Sequence, residues 1–432
     1  MATIIPFRGL RYNPDKVADI SQVVTPPYDV IDDAAQARYY AQHPANVIRL
    51  ELGLTYPQDT ADNNRYSRAN QYLEKWLEEE ILIPEPQPSL YLYEQEYTVR
   101  GKRIIRTGLV GGLKVEPYES GTVLPHEETL SKPKADRLQL MRSTRSNFSS
   151  IFGLYSDPNQ EVTQLLREET KGQPPIIDIT DEAGEAHRIW IIQNSSVLEK
   201  ITEMFREKHI YIADGHHRYE TALEYAQEMQ EQGQPGYDYV LTTLVNVFDP
   251  GLLVLPTHRL VRNLSDFNIE SILERLAVLF EVQEFGTLSD LPKLMTTLDE
   301  QRKRHVFGMV VDEHLFFLAL RDWKTAAELL PANRSTSWKS LDVAILDNLI
   351  LDNMLGIGEA QRRSQDNLCY SQSEEWVVSQ IKNCNYQLGF LVNPTQVQEI
   401  LDVAQAKDKM PQKSTYFYPK LITGLIINKL DI

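Results

Sequence analysis

His209-Ile-Tyr-Ile-Ala-Asp-Gly-His-His-Arg-Tyr-Glu-Thr-Ala-Leu223 carries an apolar, strand-like run straight into an amphipathic helix. The junction is Asp214, Gly215, His216, His217 and Arg218. The first turn of a helix holds unpaired N–H groups and a partial positive charge, so such a corner suits an anion. Gly215 permits close approach to the backbone, Arg218 offers a fork for phosphate oxygens, and the imidazoles can donate hydrogen bonds or carry protons. Asp214, the local carboxylate, is suited to orienting a nucleophile, holding Mg2+ or capping the helix. The bland alternative is an N-cap followed by solvated polar residues. Four ionisable side chains within five positions favour a functional site.

The chain has 432 residues, more than one core readily supports, and two domains are expected. A change of texture near Asn263 separates residues 1–262, the expected phosphate-binding and catalytic domain, from 263–432. The second is an α+β domain whose 410–420 segment is able to return to the site. With 44 basic against 61 acidic residues and a net charge of −17, a nucleic-acid groove is disfavoured. A small anionic ligand in a local basic pocket remains compatible. Two cysteines, Cys369 and Cys384, supply neither a disulfide framework nor a zinc set. The start lacks a signal-peptide pattern and no apolar run approaches ~18 residues, so a cytoplasmic protein without membrane contact is expected. Zinc, haem and NAD are not expected, and oligomerisation is left open.

Helical periodicity runs from Asp59 to Leu82 until prolines 84, 86 and 88 stop it. Leu90–Val99 and Arg103–Leu113 read as a hairpin around Gly101, and Asp181–Gly184 turns a second hairpin. Helices are expected over 134–146, 196–206, 269–279, 288–298, 341–355 and 395–405. Strands are expected over 150–155, 239–248 and 252–255, with a hairpin of 306–311 and 314–320. Mixed hairpins and helices predict an α+β fold, while the strand-helix unit around 209–233 leaves α/β open.

Four further polar segments stand out. In Leu124-Pro-His-Glu-Glu-Thr-Leu-Ser-Lys-Pro-Lys-Ala-Asp-Arg137, His126, Glu127 and Glu128 are candidate bases. Lys132, Lys134, Arg137, Arg142 and Arg145 are candidate phosphate neutralisers there, against the alternative of a wet basic helix face. It is not a zincin motif, since Leu130 stands where the second histidine belongs. Val24-Thr-Pro-Pro-Tyr-Asp-Val-Ile31 offers Asp29 as a base or as the N-cap of a helix near 34–42. Leu255-Pro-Thr-His-Arg-Leu-Val261 aims Thr257 and Arg259 to one side of a strand. Met410-Pro-Gln-Lys-Ser-Thr-Tyr-Phe-Tyr-Pro-Lys420 presents Lys413, Ser414, Thr415 and Lys420 around an aromatic run, without the glycines of a P-loop. Walker, Rossmann and α/β-hydrolase motifs do not occur in the sequence.

These segments in this order resemble domain-of-unknown-function family 1015 over nearly the whole chain. D-G-H-H-R is in addition similar to the phosphate-binding signature of the ParB and sulfiredoxin-like superfamily, most closely its free serine kinases. That resemblance implies a ParB/sulfiredoxin-like core with additional α+β segments. It implies Asp214 and His217 at a phosphoryl-transfer centre, Gly215 and Arg218 on the phosphates, and Thr257 and Arg259 on an amino-acid substrate. The expected protein is a small-molecule phosphotransferase of serine kinase-like type. It would take a nucleotide (ATP or ADP) or polyphosphate donor with Mg2+ at Asp214, and a hydroxyl acceptor such as that of L-serine. His216, His126, Arg137, Lys413, Ser414 and Thr415 are further phosphate-binding candidates, and Glu127 and Asp29 are reserve bases. The alternatives are a ParB-like nucleotide-binding switch or adaptor, and a phosphoester hydrolase using the same pocket.

Overall fold

Arg100 and Gly101 both take positive φ, 49° and 74°, as a two-residue hairpin turn requires. They join strands Leu90–Val99 and Lys102–Lys114, whose register pairs Gln95 with Arg106 and Tyr91 with Val110. The computed structural model describes residues 1–129 and 131–431, and their side chains except at 131 and 132. The chain forms two compact units: Met1–Pro125, Thr129–Leu253 and Pro419–Ile432 make the first, and His126–Glu128 with Val254–Tyr418 the second. The fold is α+β in both.

In the first unit the hairpin lies in a mixed sheet. The strand order is Val123–Leu124, Ile210–Asp214, Ile151–Tyr155, Tyr239–Asn246, Lys102–Lys114, Leu90–Val99, Ala186–Ile192 and Ile177–Thr180, and Ile4–Ile5 pairs with Lys102–Lys114. Most neighbours are antiparallel, but Tyr239–Asn246 runs parallel to Ile151–Tyr155 and Ile210–Asp214 parallel to Val123–Leu124. The second expected hairpin is present, Ala186–Ile192 pairing with Ile177–Thr180. Ile210, Ile212, Phe205, Tyr219 and Ala222 share one apolar core, so the strand before the corner and the helix after it, His216–Glu231, are held by the same burial.

The second unit centres on an antiparallel sheet, ordered Phe280–Thr287, His314–Leu320, Val306–Val311, Leu388–Leu391, His258–Val261 and Leu368–Ser371. Alternate residues of its central strands feed two cores, Val306 and Val310 into one and Phe307, Met309 and Val311 into the other. Helix Leu291–Glu300 packs into the first core and Ile269–Leu279 into the second. That explains why these strands are apolar on both faces.

Two expectations are corrected. The helix Asp33–Gln42 is capped by Asp32, which accepts from the Ala35 N–H at 2.7 Å, and Asp29 lies instead in a short 3-10 turn, Tyr28–Val30. The periodic stretch 341–355 is α-helical only over Asp342–Ile345 and continues as a π-helix over Leu346–Met354. Among the described residues no helix is long and apolar enough to cross a membrane.

The Asp249-Pro-Gly251 turn packs against the strand bearing Arg106. Tyr97 donates to the Gly251 carbonyl at 2.7 Å, and a methyl on Gly251 would meet the Ile105 carbonyl and, at 2.6 Å, the Arg106 Cα. Both obstacles are backbone. Gly251→Ala is therefore expected to cost about 3 kcal/mol, read as a lowered midpoint in urea denaturation.

Candidate functional site

Strand Ile210–Asp214 ends with Asp214, whose side chain is 22% exposed, and Gly215 turns the chain at φ 94°. A Cβ on Gly215 would lie 3.0 Å from Nε and Nη2 of Arg218. The missing side chain thus makes room for Arg218, which folds back over the corner. Arg218 donates through Nη1 to the Ser150 carbonyl at 2.6 Å and through Nη2 to Asp214 Oδ2 at 2.9 Å. Lys420 donates to Asp214 Oδ1 at 2.8 Å. Asp214 does not cap the helix, because Gly215 holds the N-cap position and has no side chain with which to do so. Burial works to raise the Asp214 carboxyl, but the charges of Lys420 and Arg218 and the Lys420 hydrogen bond bring it well below the usual carboxylate range.

Lys420 is aimed by its backbone. Gln95 donates to the Lys420 carbonyl at 3.0 Å and Arg106 donates to the Pro419 carbonyl at 2.6 Å. Arg106 is 1% exposed, bonds Gln95 as well, and lies over the Phe152 ring.

Around this ion cluster lies a second layer of the same unit. Arg137 is buried, donates to the Glu51 carbonyl at 2.9 Å, pairs with Glu51 and Asp136, and lies 4.0 Å over the Tyr28 ring. Ser149 donates to the same Glu51 carboxylate at 2.8 Å, and a cavity of about 40 Å3 between Arg137, Arg218, Glu51 and Ser149 suffices for one water. Burial pushes the Tyr28 phenol up to about 12, although Arg218 and Arg137 pull the other way. His217 is half-buried. Desolvation lowers its pKa while Glu220 and Asp29 oppose the shift, so the imidazole is neutral at pH 7. Asp29 is exposed. Glu220 is fixed by Thr129 at 2.6 Å and Lys134 at 3.0 Å.

Arg142 pairs with Glu228 and Arg145 with Asp431, both within the first unit, and the other candidates belong to the second. His126 Nε2 and Thr415 Oγ1 are 3.1 Å apart, the His126 carbonyl accepts from the Met410 N–H at 2.7 Å, and Glu127 adjoins it in sequence. Ser414 donates to the Pro411 carbonyl at 2.5 Å, and Lys413 is exposed with φ 59°. Thr257 and Arg259 are buried together, Arg259 donating to the Thr257 carbonyl, and Arg259 Nε faces Asp347 Oδ1 at 3.4 Å. The structure therefore gathers Asp29, Arg137, Asp214, Gly215, His216, His217 and Arg218 in one unit. It gathers His126, Glu127, Thr257, Arg259, Lys413, Ser414 and Thr415 in the other. The side chain of Lys132 lies outside the described residues.

The 410–420 segment offered both Lys413, expected on a phosphate, and Lys420, and it is Lys420 that reaches Asp214. They stand seven positions apart, roughly 20 Å or more of extended chain, and nothing in the motif distinguishes the two. Gln95, Arg106 and Glu51 were missed. The available signal was the register of the Gly101 hairpin, which sets Gln95 against Arg106.

The family model described as Protein of unknown function (DUF1015) matches residues 4–344, and the chain belongs to that family. No curated protein matches it. Among solved structures it is similar to a conserved hypothetical protein from Pyrococcus furiosus, with 13% identity over 70% of this chain and 89% of that one and a TM-score of 0.33. It is similar to a free serine kinase in complex with AMP, with 12% identity, 69% and 84% coverage and a TM-score of 0.34. A third is SbnI with C-terminal truncation from Staphylococcus aureus, with 10% identity, 74% and 87% coverage and a TM-score of 0.34.

Asp214→Asn removes the one charge shared by Lys420 and Arg218, and the loss is expected to be about 3 kcal/mol. The folded carboxyl titrates below its unfolded value of about 3.9, so its contribution is complete above that pH and disappears as pH falls toward the folded value. Chemical denaturation between about pH 7 and pH 2 should show the wild type losing more stability across the acid limb than the variant.

Proposed function

We propose that the chain is a small-molecule phosphotransferase, taking phosphate from a nucleotide or polyphosphate to a hydroxyl such as that of L-serine. The observation that carries this reading is the fixed Lys420–Asp214–Arg218 cluster at the start of helix His216–Glu231, with a neutral imidazole on its first turn. Phosphoryl transfer asks for in-line positioning and charge neutralisation more than for covalent help. The helix N-terminus and the Lys420 ammonium supply positive potential for the phosphates. Asp214 and Arg218 position Lys420 and brace the corner. In the transfer the acceptor oxygen bonds to phosphorus, the bond from phosphorus to the donor oxygen breaks, and the hydroxyl proton passes to the His217 imidazole. Asp29 and Glu220, whose charges act on His217, stabilise the imidazolium that forms.

Mg2+ would ordinarily accompany a nucleotide donor. Asp214 does not fit it, because both its oxygens are held by protein cations that a metal ion would have to displace.

Incubation of the protein with ATP, ADP or pyrophosphate, with and without L-serine, should give a phosphomonoester signal in phosphorus NMR only when the acceptor is present. Phosphate released equally without it would make the protein a hydrolase, and an unchanged donor would leave a binding protein; either outcome defeats the proposal. In the active assay His217→Gln should lower kcat by about 10²-fold or more. The wild-type rate should hold below pH 6.5 before falling as His217 protonates, and the variant should lack that limb.

A further inference from the structure

We infer that the tip of the hairpin formed by Ile177–Thr180 and Ala186–Ile192 holds a divalent first-row transition ion, such as Zn2+, on Asp181, Glu185 and His187. One ligand atom from each of the three lies within 4.8 Å of the other two, and among the described residues no other group of three or more histidines, cysteines or carboxylates converges in this way. The hairpin register brings them together. The Asp181 N–H donates to the Glu185 carbonyl at 2.9 Å, Thr180 pairs with Ala186, and Glu185 and His187 stand two residues apart on the returning chain. All three side chains therefore leave the same face.

His187 is 0% exposed and Glu185 7%, while Asp181 keeps 15% of its side chain accessible. The Asp181 Oδ1 accepts from the N–H groups of Ala183 and Glu185, both at 2.9 Å, which turns Oδ2 toward His187 Nε2 at 3.2 Å. On the far side of the ring, Nδ1 lies 2.8 Å from the Tyr93 hydroxyl oxygen. A metal-bound imidazole commonly has its other nitrogen held by such a partner, which fixes both the ring and its tautomer. A tetrahedral ion bonded at about 2.1 Å to its donors sets them roughly 3.4 Å apart. The His187–Asp181 spacing already suits such an ion, and small side-chain rotations complete the set.

Charge and donor type select the ion. A hydrogen bond between His187 and Asp181 involves two of the three groups, whereas an ion engages all three, and the two carboxylates match the charge of one divalent cation. An imidazole nitrogen among the donors favours Zn2+ over Mg2+ and Ca2+, which take oxygen. Asp181 also lines a cavity of about 320 Å3 with Thr25, Tyr39, Gln42 and Glu182, which gives the ion a route in and leaves room for water as a fourth ligand. The sequence offers neither a cysteine set nor a paired-histidine motif for zinc; the hairpin register assembles this set instead. None of its residues belongs to the Asp214 cluster, so the site is independent of phosphoryl transfer.

Calorimetric titration of the full chain, stripped with EDTA and dialysed, with Zn2+, Mn2+ and Mg2+ tests it. One equivalent of Zn2+ should bind saturably, Mn2+ more weakly and Mg2+ more weakly still. His187→Gln and Asp181→Asn should each weaken Zn2+ at least tenfold, and Tyr93→Phe should weaken it by roughly tenfold through the imidazole it holds. Mg2+ bound as tightly as Zn2+ would overturn the ion class. Absence of a one-equivalent phase, or Zn2+ affinity unaltered in His187→Gln, would overturn the site. Should the buried His187→Gln variant fail to fold by circular dichroism, Asp181→Asn decides, and unaltered affinity there overturns the site equally. The phosphorus NMR assay reads different residues, so either result can fail without the other.

Discussion

A carboxylate at the buried end of a sheet strand has to be compensated, and at Asp214 the compensation comes from both sides. Arg218, one helical turn on, takes one oxygen, and Lys420, 206 residues later, takes the other. Desolvation alone would favour the protonated acid, but two close cations reverse the balance and keep it ionised. The carboxylate then acts as a fixed negative centre around which cations are ordered. The glycine before the helix belongs to the same device, since its φ of 94° suits glycine and the missing Cβ leaves the Arg218 guanidinium room to close over the corner.

The position of Lys420 can be traced back to a turn. Arg100 and Gly101 adopt left-handed conformations, which sets a two-residue hairpin and fixes the pairing of its strands. That register places Gln95 opposite Arg106. The two side chains bond each other and reach the carbonyls of Lys420 and Pro419. A slip of one residue would send both side chains to the opposite face of the sheet and leave the terminal segment without its clamp. A local turn preference therefore governs an ion pair between distant parts of the chain.

Much of the architecture was legible because it rests on local chemistry. Gly101 and Asp181–Gly184 marked hairpins, and the apolar spacing of Ile269–Leu279 and the strands Val306–Val311 and His314–Leu320 marked the second unit. Phe280–Thr287 escaped notice because it follows a helix without a glycine or proline break, and as an edge strand it leaves Glu281 exposed. The π-helical geometry of Leu346–Met354 escaped because widened turns leave no trace in a hydrophobic pattern that also suits an α-helix. At the site, the residue types at 214–218 were informative, but their commitments were not. The partners of Arg137 and Arg218 include main-chain carbonyls, of Glu51 and Ser150, which no side-chain motif encodes.

The acid–arginine pairs at Asp214 and Asp347 differ in a way that bears on their roles. Asp214 is complete: each oxygen has a donor, and Arg218 spends its remaining contact on a carbonyl. A completed buried network is rigid and serves preorganisation, because nothing need move when charge develops nearby. Asp347 and Arg259 are incomplete, close enough to attract yet without a hydrogen bond between them. Inside a low-dielectric core such a deficit is costly, so this pair is held by charge attraction without the hydrogen bond that would complete it. The degree of satisfaction therefore separates a carboxylate that organises several protein cations from one whose facing arginine attracts it without a hydrogen bond.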